Sequence, residues 1–276
     1  MNTKLLLLAV VASPCLCLSQ DLAMNNIPLT TAVTSHTDHQ QICDMETRGY
    51  GLDNLLVKGT VVINSKGKDT NLNAVVFTTN QSTRIRINYA EIAQVIDYSV
   101  TGEKATIFLP RKDVVFTGSK VDVCKLKSWF SLLTSELCGY SLMFPNAWDA
   151  NATQRRYIRE KNTMVVINTT GDIVKVLKKV VFGRTTDGKI IITNIYKYDE
   201  NGDLTGIISF DNYKTINGQL IPHQVSFSVT EDAKITFNFS EVLMDQQYNE
   251  TIFNITIPPE AKTLDIQELE KKDWLS

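Results

Sequence analysis

From Gly59 onward, β-branched and aromatic residues come in short runs separated by Gly, Asn and Asp, the pattern of strands joined by turns in an antiparallel meander. The first runs cover residues 60–64, 74–79 and 83–89. In the third, Ile85, Ile87 and Tyr89 alternate with Arg84, Arg86 and Asn88, so a strand there has one apolar and one polar face. Runs at 95–100, 105–109 and 114–117 follow, with Thr101-Gly102-Glu103 at tight hairpin spacing between the first two.

Period two then gives way. Val123, Leu126, Trp129, Phe130, Leu133 and Leu137 recur at steps of three and four, which predicts a helix with one apolar face over 123–137. An irregular apolar stretch, 140–148, extends it. Strands resume at 164–168, 174–182, 189–198, 204–211, 224–230 and 234–242, with 251–257 as the closing strand before Pro258-Pro259. Turns are marked by Asp199-Glu200-Asn201-Gly202 and by Asn217-Gly218. About eleven strands are expected, and a mainly β fold. The charged tail beyond Ile266 reads as a frayed helix or a solvated end.

The N-terminus changes the expected compartment. Residues 1–19 combine a basic tip at Lys4 with an uncharged run over 5–12, the layout of a cleaved signal peptide, with the cut expected after Ser19. The alternative is a lipid anchor through Cys15 or Cys17; Pro14 and Leu16 sit where such a signal takes a small residue. Residues 20–54 are polar and weakly periodic, and read as a helical or irregular segment.

Composition mainly excludes. The net charge of -2 and pI near 6.0 give no long-range attraction for nucleic acid. Among the cysteines beyond the signal, Cys43, Cys124 and Cys138, one is left over whichever two pair; Cys124 with Cys138 is a structural pairing that requires the chain to fold back on itself. His36, Asp38 and His39 cluster, but a zinc site needs three or four ligands on fixed elements and the only other histidine is His223. No phosphate loop or nucleophile elbow is present, so neither an enzyme nor a cofactor is expected.

The C-terminal half carries a resemblance. Ile195-Tyr-Lys-Tyr-Asp-Glu-Asn-Gly-Asp-Leu204, Phe210-Asp-Asn-Tyr213, Ile216-Asn-Gly-Gln-Leu-Ile-Pro-His223 and the ending Phe239-Ser-Glu-Val242, Asn249 and 253–258 resemble the last strands of the bacterial outer-membrane lipoprotein carrier family (LolA/LolB-like). Gly59-Thr-Val-Val-Ile63, Arg84-Ile-Arg-Ile87, Thr101-Gly102 and Phe108-Leu-Pro110 match its strand order more loosely, so that the similarity spans residues 55–262, leaving 263–276 as a tail. The resemblance implies an unclosed, strongly curved antiparallel barrel, with helices from the insert 123–148 as a lid over an apolar hollow. It also implies a monomeric periplasmic carrier that holds the acyl chains of lipoproteins or another lipid, between an inner-membrane donor complex and an outer-membrane acceptor. Ile85, Ile87, Tyr89, Phe108, Trp129, Phe130 and Leu133 are the expected hollow, and Arg86 the expected tie between sheet and lid, with Arg84 competing for that role. The insert is bulkier than a plain carrier requires, which keeps open an envelope sensor or scaffold that binds a protein on the same concave sheet.

Overall fold

The computed structural model describes residues 54–65, 67–79, 81–89, 93–126, 155–160, 163–170, 173–198, 201–230 and 233–271. Within them lie fourteen strands in one open sheet: β1 Asn54–Ser65, β2 Lys68–Thr79, β3 Ser82–Tyr89, β4 Ala93–Thr101, β5 Lys104–Leu109, β6 Val114–Ser119, β7 Arg155–Glu160, β8 Thr163–Thr170, β9 Ile173–Arg184, β10 Ile190–Tyr198, β11 Leu204–Ile216, β12 Gln219–Thr230, β13 Ala233–Met244 and β14 Lys262–Asp265. The spatial order is β14-β6-β5-β4-β3-β2-β1-β13-β12-β11-β10-β9-β8-β7. Strand β1 is the seam. It pairs with β2 over its whole length and with β13 from Leu55 to Ser65, so the first and last long strands lie side by side.

Hairpin chemistry sets most of this order. Asn217 and Gly218, at φ 48° and 80°, make the two-residue turn that pairs Ile216 with Gln219, a left-handed conformation that these residue types adopt readily. Six ladders carry a register shift, among them β1–β13 at Lys58/Gly59, β3–β4 at Ile87/Asn88 and β9–β10 at Ile192/Asn194. Each extra residue bends and twists its strand, and together these shifts curl the sheet.

The core occupies one face. On β3, Ile85 and Ile87 point into it with Val76 of β2 and Ile96 of β4, and across the seam Val57 and Val61 stand opposite Val242 and Phe237 of β13. We call this the inner face. At its β5–β6 end it is covered by Val123 and Leu126 and by Ile266 and Leu269, all in the same core.

Four expectations are corrected. The strands number fourteen among the described residues: twelve of the expected runs are strands, and β7, an edge strand rich in charge, and β14, a short polar one, which lack clear alternation, add two. The helix begins earlier than its apolar face. It spans Lys120–Lys125 (α1), because Ser119 and Asp122 form a capping box, and all of the expected lid from residue 127 to 148 lies outside the described residues. The stretch 251–257 is no strand but a strap that opens on a 3-10 turn, Glu250–Phe253, capped by the Asn249 side chain. Of the two readings of the tail, the solvated end is the one overturned: after Lys262–Asp265 pairs parallel with β6, residues Ile266–Glu270 form a 3-10 helix, and Ile266 packs onto Gly118, where an added Cβ would lie 2.5 Å from its Cγ2.

Candidate functional site

Alternation divides the expected site residues between the two faces. Ile85 and Ile87 stand on the inner face, each 2 % exposed, and so are covered. Tyr89 ends the same strand but is 56 % exposed, with the Arg111 guanidinium 5.7 Å from its ring centre. Phe108 is buried on the opposite, outer face, where it lies across from Asp97 and outside the main core. Trp129, Phe130 and Leu133 lie outside the described residues, as do His36, Asp38, His39, Cys43 and Cys138. Among the described residues no three His, Cys, Asp or Glu side chains cluster as metal ligands.

The inner face is apolar with few exceptions. Thr78 and Thr83 are buried on paired strands and satisfy one another through their hydroxyls at 2.9 Å. His223 is a further exception. It stands on β12 between Ile221 and Val225, buried, and its Nδ1 meets the Phe239 carbonyl of β13 at 2.9 Å while its Nε2 has no partner. A carbonyl can only accept, so Nδ1 carries the proton and donates. Burial foremost, with Lys214 adding to it, holds this imidazole below its ordinary value of 6.5, against the pull of the Phe239 carbonyl. The group is therefore kept neutral in the folded chain while it charges freely in the unfolded one. Stability contributed by the depressed value is present above pH 6.5 and is lost as pH falls below it. The urea midpoint of wild type is expected to fall more than that of His223→Leu between about pH 7.5 and about pH 5; parallel losses in the two proteins would contradict the assignment.

The outer face holds the charged chemistry. Arg84 and Asp97 form a buried, two-pronged pair, with Arg84 Nε donating to Asp97 Oδ1 at 2.8 Å and Nη2 to Oδ2. The remaining nitrogen, Nη1, donates to the carbonyls of Ile252 and Asn254 at 2.6 and 2.9 Å, and the Ser99 hydroxyl donates to that of Phe253 at 2.6 Å. Three consecutive carbonyls of the strap are thus taken by side chains of β3 and β4 instead of by a strand ladder. That is why 251–257 lies across the sheet and not within it.

Arg84 thus ties the sheet to the C-terminal strap, while the expected tie between sheet and lid involves residues outside the described ones. Arg86 lies two residues along the same face, its guanidinium 5.5 Å over the Phe77 ring and its Nε buried without a partner. Tyr248 packs edge-on against Phe77, and burial pushes its phenol up to about 12, so it stays neutral. Sequence reasoning named both arginines but missed Asp97 and His223. The signal for Asp97 was a lone acid in the otherwise uncharged run 95–100.

No family model matches the sequence, and no curated protein matches it either. Solved structures do. A domain named for outer-membrane lipoprotein sorting, from Vibrio parahaemolyticus, aligns over 78% of this chain and 95% of its own, at a TM-score of 0.52 and 10% identity. A LolA superfamily protein from Nitrosomonas europaea aligns over 78% and 97% at 0.51 and 11%. A DUF1329 family protein from Desulfovibrio piger aligns over 78% and 95% at 0.51 and 13%. At these identities the likeness is one of fold: this chain is built as the same open, curled sheet.

Proposed function

We propose that the chain is a periplasmic carrier that reversibly holds the acyl chains of a lipid or lipoprotein against the inner face of its curled sheet, without covalent chemistry. The observation that carries the reading is a long apolar face on an open sheet of the same fold as a lipoprotein-sorting domain and a LolA superfamily protein. On this reading Ile85 and Ile87 line the binding surface, Tyr89 marks its rim, and Trp129, Phe130 and Leu133 supply apolar side chains from the segment 127–154. Phe108 belongs to the opposite face and takes no part.

Because Ile85 and Ile87 are already covered, hydrocarbon enters by replacing one apolar contact with another. Such an exchange keeps the net affinity modest. Burying a methylene from water is worth about 0.8 kcal/mol, so some ten methylenes supply the roughly 8 kcal/mol of micromolar binding. Three long chains buried in full would exceed the affinity ceiling of about 20 kcal/mol and could not be released. A carrier needs the smaller figure.

Protein purified from its own envelope is expected to yield acyl chains on solvent extraction and mass spectrometry, and the stripped protein to bind 1-monooleoylglycerol in the micromolar range. Stripped protein that binds no lipid, but captures a peptide on the same sheet, would establish a scaffold instead.

A further inference from the structure

Nearly every buried polar atom in a folded protein has a partner, and one left without a partner is destabilising. Nε2 of His223 is such an orphan, on a side chain 5 % exposed, and it sits on the face that the acyl reading assigns to hydrocarbon. What it can do is fixed by its other nitrogen. With Nδ1 donating to the Phe239 carbonyl, Nε2 of the neutral ring is a bare lone pair, an acceptor and nothing else. Ile221 and Val225 flank it along β12, the Phe239 carbonyl of β13 takes its other nitrogen, and Lys214 of β11, though near enough to act on its charge, makes no hydrogen bond to it. Burial favours the same neutral form.

We propose that His223 Nε2 accepts a hydrogen bond from a hydroxyl or amide N–H at the polar end of the acyl ligand, so that the site takes hydroxyl- or amide-bearing acyl lipids in preference to carboxylates and simple esters. This rests on the acyl-binding reading and adds the chemistry of the ligand's head. A carboxylate would set lone pairs against a lone pair. A simple ester has no proton to give and leaves the nitrogen orphaned. A glycerol hydroxyl, or the amide of an N-acyl group, supplies what is missing. One such bond, together with relief of the orphan, corresponds to about a tenfold preference.

The test compares 1-monooleoylglycerol with methyl oleate, which share the acyl chain and differ in the donor, by titration calorimetry on the full-length protein. Wild type is expected to bind the glycerol ester about tenfold more tightly, and His223→Leu to bind the two alike. In wild type labelled with 15N, the His223 Nε2 resonance should move on addition of monooleoylglycerol and stay put with methyl oleate, a readout that holds even if the variant folds poorly. Equal affinities in wild type, or a preference that survives in His223→Leu, overturn the head-group inference and leave acyl binding standing. If neither lipid binds, the acyl reading falls and takes the inference with it.

Discussion

Replacing Arg84 by methionine will lower the unfolding free energy by about 3–5 kcal/mol, the cost of breaking a buried ion pair from one side. The change leaves the Asp97 carboxylate buried without its cation and deprives the carbonyls of Ile252 and Asn254 of their donor. Urea unfolding followed by circular dichroism gives the magnitude. A second variant separates charge from packing: with Asp97→Leu added, much of the loss should return, since two apolar side chains of similar volume remove the uncompensated charge. Limited proteolysis should also cut the strap early in Arg84→Met, because only the Ser99 bond to Phe253 would still hold those three carbonyls. A loss under about 1 kcal/mol, the range of a surface pair, would show that the guanidinium is not what fastens the strap.

Gly59→Ala will be nearly as damaging, for a different reason. A Cβ on Gly59 would lie 2.1 Å from the carbonyl oxygen of Asn238 and 2.9 Å from its carbon, and both belong to backbone. No side chain can rotate away, so β1 and β13 must part at the register shift that joins the two halves of the sheet. A cost of about 3 kcal/mol is expected, the upper part of the overpacking range. Gly67→Ala is the control. That glycine has open space around it and pays only for its positive φ of 76°, so it should lose about 1–2 kcal/mol. If the two variants unfold at the same urea concentration, the close approach at Gly59 is not the constraint proposed.

Much of this fold was legible because strands covered on one side alternate. Ile85, Ile87, Arg84 and Arg86 fell on the right faces from period two alone. The failures share a cause. Ile107-Phe108-Leu109 is an unbroken apolar run in which alternation cannot choose a face, and it is buried on both, Ile107 and Leu109 in the core and Phe108 on the outer side. The strap itself, Thr-Ile-Phe-Asn-Ile-Thr-Ile, has the composition of a strand; what makes it a cross-piece is side-chain donors far away in sequence.

The partner of Arg84 rests on the same kind of non-local fact. Asp97 stands directly opposite Arg86 in the ladder, yet its carboxylate pairs diagonally with Arg84. His223, beside a proline and next to a polar turn, gave no sign that its ring would end among Ile221, Val225 and Phe239.

The seam has a bearing on how the molecule is made. Lys58 finds Glu241, and Ile63 finds Ile235, only after nearly every intervening strand has been synthesised. Each hairpin meander can form as it emerges, but the loop closed by β1 and β13 is among the longest the chain allows, and contacts so distant in sequence slow folding toward the range of milliseconds to seconds. Until they form, two half-sheets present raw edges to their surroundings.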